Sequence, residues 1–415
     1  MLGKMSNGKK KEKYYDYWLC SIDGIGNRTI SKLFEEYESA EAVYHATEKE
    51  LEKILNVRQL AALKQLKKEW NLKEEYMQMQ ELGINFLTKE DVAYPGRLRE
   101  IPDAPWGIFY KGTLPLEDKL AVAVIGARDC SEYGRYVAKE LGAFLGRNQI
   151  QIISGMARGI DGISQEAAVH EGGITTAVLG SGVDVCYPVQ NKELYKAILK
   201  NGCVLSPYPP GTQPRPQNFP PRNRIVSGLA DVVVVIEARN KSGTLITVDM
   251  ALEQGREVYV VPGRITDRLS DGCNRLIKQG AGVLLSPRDF LRETEELWQR
   301  QKVGCAMEQN DFEGEQREKK EGQRKLQRGV RREKKMECEQ WEQNDEKMNL
   351  PKELSRIYDL LDFLPRSTEQ ILELLKEQES ATDLLVSEVN VQLMRLCLMG
   401  LAKQETTGYF CKVGR

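Results

Sequence analysis

Apolar and polar positions divide the chain into stretches of different period. From Tyr14 to about Leu82, apolar residues recur at helical spacing, with Leu19, Ile22, Ile25, Ile30, Leu33 and Phe34 marking the faces. From about Leu116 to Glu295, short apolar runs alternate with longer amphipathic stretches. Strands are predicted at Ala121–Ile125, Ile150–Ser154, Thr175–Leu179, Val204–Leu205, Val232–Glu237, Val258–Val261 and Val283–Leu285. Helices are predicted at Tyr133–Arg147, Ile160–His170, Lys192–Lys200, Ile246–Gln254 and Cys273–Lys278. This alternation implies an α/β fold, a doubly wound and mostly parallel sheet with right-handed crossovers.

Four further stretches complete the organisation. Residues 1–13 read as a disordered tail. Residues 83–115 read as a connector with short extended pieces, because Tyr94-Pro95, Pro102, Pro105 and Pro115 disfavour helix, while Trp106, Phe109 and Tyr110 supply packing. The α/β domain follows at 116–298. Roughly half of the residues between 301 and 349 are charged, with few aliphatics, so 299–349 reads as a disordered or loosely helical linker. Order returns at 350–415, with helices predicted at Ser355–Phe363, Ser367–Leu375 and Ser387–Met399 and then a small hairpin, the pattern of a winged-helix module. Its third helix carries Arg395 nearly alone among cations, which favours protein contact or a structural role over duplex reading.

Length and composition narrow the function classes. A chain of 415 residues exceeds one ordinary core, and a 41% hydrophobic share suits globular material. No run of about 18 apolar residues occurs, and the basic N-terminus lacks the apolar core of a signal peptide, so a cytoplasmic protein without a membrane span is expected. Nine scattered cysteines without a CxxC pair read as reduced thiols, and two histidines make a histidine-built metal site a poor candidate. No metal or cofactor is expected. The net charge of −1 decides nothing about nucleic acid, so the placement of the charges matters.

Candidate chemistry lies in four strand-to-helix turns. They are VIGARDCSEYG (Val124–Gly134), SGMARGID (Ser154–Asp161), VLGSGVDVCYP (Val178–Pro188) and EARNKSGTLIT (Glu237–Thr247). Each turn can aim unpaired helix N–H groups at one sheet edge, and four of them with arginines point to a phosphate-bearing ligand. Neither GxGxxG nor GxxxxGK[ST] occurs, so no dinucleotide fingerprint or P-loop is present. At the other end of the chain, the Gly24-Ile25-Gly26 turn resembles a helix-hairpin-helix unit with Arg28 beside it, a plain helical bundle being the alternative.

Taken in order and spacing, VIGARDCSEYG, SGMARGIDGISQEAA, TAVLGSGVDVCYPVQN, FPPRNRIVSGL and SGTLITVDMALEQGREVYVVPG resemble the DNA-processing protein A family (DprA, also called Smf), from roughly Tyr94 to Asp289. The resemblance implies an extended Rossmann-like fold that forms a homodimer, binds single-stranded DNA and loads the recombinase RecA during natural transformation. It establishes no catalysis, so no enzyme activity is expected. On that reading Arg128, Arg158, Arg222, Arg224 and Lys241 neutralise phosphates. Ser131 and the amides near Gly126, Gly155, Ser242, Gly243 and Thr244 hold phosphate oxygens, Asn223 lies among them, and Phe219 stacks on a base. FPPRNR and KSGT then form two loop walls of one groove.

Blander readings stand beside these. Phe219 can be packing, Asn223 and Arg224 can bridge backbone carbonyls, and Arg158 can pair with Asp161 or Glu166. Asp161 and Asp184 read as loop and cap residues, and Tyr187-Pro188 as a structural turn. Two departures stand out: Pro207 where family members commonly carry glutamate, and Ile174 where many carry lysine. A different class, the phosphoribohydrolases with a Rossmann-like fold, resembles the SG-x-A-x-G-I-D region. Those enzymes need a PGG-x-GT motif with a catalytic glutamate, and SGTLIT stands here instead.

Overall fold

The computed structural model describes residues 12–294, 298, 351–362, 366–378, 385–406 and 408–413. The predicted tail lies outside them apart from its last two residues, and the predicted linker at 299–349 lies wholly outside them. The chain forms two compact units, Met1–Trp298 and Gln299–Arg415.

The first unit opens with six helices: α1 (Lys13–Ser21), α2 (Asn27–Glu36), α3 (Ala40–His45), α4 (Glu48–Leu51), α5 (Val57–Glu69) and α6 (Leu72–Glu81). Gly24, at φ +78°, makes the turn between α1 and α2 that a side chain would strain. Trp18, Leu19, Ile30 and Leu33 bury the helical faces read from the sequence. The side-chain amide of Asn27 donates to the Asp103 and Ala104 carbonyls and accepts from the Trp106 N–H, fastening α2 to the segment that follows the bundle.

That segment is more than a connector. It contributes β1 (Asn85–Thr88), α7 (Gly96–Arg99) and β2 (Gly107–Gly112), and both strands join the main sheet. The prolines lie between the strands, so they never remove a ladder hydrogen bond. Arg97 is buried against Asp231 at 2.8 Å, and Asp231 also accepts the Ala121 N–H at 2.8 Å, so one ion pair ties α7 to the central sheet.

The central sheet continues with β3 (Ala121–Ile125), α8 (Glu132–Arg147), β4 (Gln151–Ser154), α9 (Ile160–His170), β5 (Thr175–Val178), α10 (Lys192–Asn201) and β6 (Cys203–Ser206). It is completed by α11 (Phe219–Gly228), β7 (Val232–Val235), α12 (Gly243–Glu253), β8 (Glu257–Val260), α13 (Asp271–Lys278) and β9 (Gly282–Val283). The strand order is β1-β2-β6-β5-β4-β3-β7-β8-β9, with all pairs from β6 to β9 parallel and β1 and β2 added antiparallel. Period-two alternation sorts the core. Ala121, Ala123 and Ile125 of β3 pack with α11, α12 and α13, whereas Val122 and Val124 pack with α8 and α9 on the other face. The predicted extended Rossmann-like α/β architecture is present. The chain leaves β3 toward β4 on one side and returns to β7 on the other, which makes the β3/β7 boundary the switch point.

A second stretch also departs from its sequence reading. FPPRNR is not a loop wall but the first turns of α11, where Pro220 and Pro221 occupy positions whose N–H groups have no helical partner. Proline pairs read as loop by composition, yet at a helix start their fixed φ favours the helix.

The second unit holds helices Lys352–Leu360, Thr368–Gln378 and Val386–Leu398 and a three-stranded antiparallel sheet of Arg366–Ser367, Ala402–Thr406 and Tyr409–Lys412. Its core gathers Leu354, Ile357, Ile371, Leu393, Leu401 and Phe410.

Candidate nucleic-acid interface

A solvent-open depression of about 370 Å³ lies over the carboxyl ends of β3, β4 and β5. Its lining combines Arg128 from the turn after β3, Gly155, Ala157 and Arg158 from the turn after β4, and Gly180, Tyr187 and Pro188 from the turn after β5. Phe219 and Arg222 enter from the first turn of α11. The three turns converge because consecutive parallel strands deliver their following loops to one sheet edge.

Aromatic and cationic groups interlock there. The Phe219 ring is half-buried and lies 5.7 Å from the Tyr187 ring. The Arg128 and Arg222 guanidinium groups sit 5.5 Å and 5.6 Å from the Phe219 centroid, within cation–π range. Arg128 and Arg158 are exposed, and Arg158 pairs with Asp129 at 3.3 Å rather than with Asp161 or Glu166. That pair is exposed at both ends and contributes little, so a phosphate can displace the carboxylate.

Arg222 differs from both. It is 3% exposed and donates from Nη1 to the Val178 carbonyl at 2.6 Å, while its Nε has no hydrogen-bond partner among the described residues. Burial pulls its guanidinium down to about 10, with the charge of Asp161 acting in the opposite sense. Asp161 accepts the Gly155 N–H at 3.2 Å, and burial holds its carboxyl above the usual carboxylate range despite Arg222. A Cβ on Gly155 would collide with the Arg222 guanidinium, so glycine is required for that cation to reach the depression. Met156, wholly buried at φ +52°, holds a left-handed backbone here, fixed by Gln165 at its N–H and Asn191 at its carbonyl.

Several predicted anion contacts are occupied by the protein itself. The Gly155 amide is taken by Asp161. Gly126 is glycine because a Cβ would lie 2.6 Å from Ile160 Cγ1, and its carbonyl accepts from Thr244 Oγ1 at 3.3 Å. Ser131 caps α8, yet its N–H and hydroxyl both donate to the buried Glu237 carboxylate. Arg224 does not face the depression: its Nε donates to the Pro102 carbonyl at 3.0 Å and its Nη1 meets Glu253 at 3.2 Å. Asn223 is half-buried and lies outside the lining. Lys241 and Gly243 are exposed and Ser242 is the N-cap of α12, but none of residues 241–244 lines the depression. Ile174 enters β5 at its amino end, on the edge away from these loops, so the departure there leaves the depression unchanged.

Tyr187 and Glu237 were missed as site residues. An aromatic placed in a polar turn at the shared sheet edge was the available signal for Tyr187. Glu237 was counted as the end of a strand, and only the fold shows it beneath α8.

Residues 85–295 match the family model described as DNA recombination-mediator protein A. A DNA processing protein DprA from Streptococcus pneumoniae is 47% identical over 205 residues, covering 49% of this chain and 72% of that protein. One from Bacillus subtilis is 40% identical over 217 residues, covering 52% and 73%. The X-ray structure of DNA processing protein A from Streptococcus pneumoniae superposes with a TM-score of 0.60 at 38% identity, covering 68% of this chain and 98% of that one. With half of its residues matched by the family model and its sheet shared with that crystal structure, the chain belongs to the DNA recombination-mediator protein A family.

Proposed function

We propose that the depression binds single-stranded DNA without base preference and that the protein delivers the strand to RecA, without catalysis at this site. One observation carries the DNA reading: an aromatic pair and three guanidinium groups meet at one depression, and the buried guanidinium keeps an unused donor. A base stacked on Phe219 or Tyr187 contributes about 1–3 kcal/mol whatever its identity. Arg128 and Arg158 then neutralise the flanking phosphates. In a duplex the base faces are covered by their neighbours, so a depression walled by rings favours the single strand.

A non-catalytic reading is favoured by Asp161, whose carboxylate is engaged with the Gly155 amide and absent from the lining. Delivery to RecA and assembly as a homodimer rest on the family resemblance. No helix among the described residues is long and apolar enough to cross a membrane.

Photo-crosslinking tests the site directly. An oligonucleotide carrying 5-iodouracil is expected to crosslink to the peptide of Tyr187 or Phe219. Crosslinks confined to the second unit would place the DNA elsewhere.

A further inference from the structure

The switch point of the sheet, between β3 and β7, is where open α/β folds ordinarily receive a ligand, with its phosphate on the first turn of the helix after the first strand. Here that helix is α8, 16 residues long and therefore long enough to present a full terminal dipole. Its first turn already holds a carboxyl group. The Ser131 N–H donates to Glu237 Oε2 at 2.9 Å, and the Ser131 hydroxyl donates to Glu237 Oε1. The Gly134 N–H donates to Ser131 Oγ at 3.1 Å and also faces the carboxylate. Glu237 is wholly buried and comes from the end of β7, directly across the switch point. A Cβ on Gly134 would lie 2.4 Å from the Glu237 carboxyl carbon, so the glycine makes room for the acid.

We infer that Glu237 acts as a built-in phosphate substitute, a specificity-determining residue that bars nucleotide phosphates from the switch point. Its two oxygens meet the donors that a phosphate would otherwise use. Burial raises its carboxyl above the usual carboxylate range, while the Ser131 and Gly134 donors favour the charged form, whose repulsion of a second anion adds to occupancy. The barrier is independent of whether the neighbouring depression takes DNA, so each reading can fail without the other.

The test is a gain of binding. Glu237→Ala empties the first turn of α8, and Glu237→Gln keeps its shape while removing the charge. Each variant and the unaltered full-length chain are titrated with inorganic phosphate and with adenosine monophosphate at fixed ionic strength, followed by calorimetry. Phosphate held by the Arg128 depression contributes equally to all three and cancels in the difference. Glu237→Ala is expected to bind phosphate about tenfold more tightly than the unaltered chain, the gain of one vacated helix terminus. Glu237→Gln is expected to fall between them. Crystals of Glu237→Ala grown with tungstate are expected to show the heavy anion beside the Ser131 and Gly134 amides. If Glu237→Ala fails to fold, Glu237→Gln decides alone. Equal phosphate affinity for the unaltered chain and every folded variant overturns the inference.

Discussion

Replacing Arg222 by methionine exposes what holds the depression together. The side chain is 3% exposed, so the change removes a buried cation and leaves an apolar chain of similar length. Three effects compete. Keeping the guanidinium charged where its pKa falls from 12.5 to about 10 costs about 3 kcal/mol, which methionine relieves. Losing the charged hydrogen bond to the Val178 carbonyl costs about 1.5–3 kcal/mol. Leaving Asp161 buried without its counter-charge costs about 1–3 kcal/mol more. The first two nearly cancel, so R222M is destabilised mainly through Asp161. R222M combined with Asp161→Asn is therefore expected to lie within about 2 kcal/mol of the unaltered chain, with a coupling of about 1–3 kcal/mol between the sites. The pH dependence follows from the Asp161 carboxyl, which burial holds above its unfolded value. Such an acid contributes stability below the unfolded pKa and loses it as pH rises through the folded one. Removing Arg222 lifts that carboxyl further, so the R222M deficit is small near pH 4 and grows toward pH 7. Urea unfolding of the four proteins at both pH values measures this. Additivity within about 0.5 kcal/mol, or a deficit independent of pH, refutes the coupling.

Other substitutions separate binding from scaffolding. Phe219→Ala is expected to weaken oligothymidylate binding by about 1–3 kcal/mol in a fluorescence anisotropy titration, while Phe219→Trp retains it. Arg158→Ala is expected to reduce the slope of log affinity against log salt by about 1, because its present partner Asp129 is exposed and displaceable. Arg224→Ala is expected to leave that slope unchanged and to lower stability by about 1 kcal/mol in thermal melts, since its donors serve Pro102 and Glu253. Gly155→Ala is expected to destabilise the first unit and weaken DNA binding together, as its methyl displaces Arg222.

The parallel core was legible because its strands are buried on both faces. Val232–Val235 and Ala121–Ile125 read as uninterrupted apolar runs, and little else in a sequence produces them. The stretch that carries β1 and β2 reads as short extended pieces, but their place in the sheet does not show, since Phe86 and Phe109 pack across an antiparallel edge whose partners lie far along the chain. Phe219–Gly228 was hidden for a different reason: two prolines read as loop until the chain is seen to start a helix there. Within the site, the sequence names Arg128, Arg158, Arg222 and Phe219 by composition and spacing. Direction is beyond such a reading. Arg222 and Arg224 are two residues apart on one helix, about 200° around its axis, so one enters the depression and the other the scaffold. Glu237 is likewise a strand-end acid in sequence and becomes a helix cap only when β7 lies beside β3.

Competition decides most directly whether the depression takes a single strand. A labelled oligothymidylate bound to the full chain is challenged with unlabelled single strands of mixed sequence and with blunt duplex of equal length, at two salt concentrations. Displacement by every single strand, with duplex at least tenfold weaker and the preference lost in Phe219→Ala combined with Arg128→Ala, is the predicted result. Duplex competing as well as single strands, or a double variant that binds as the unaltered chain does, would contradict it.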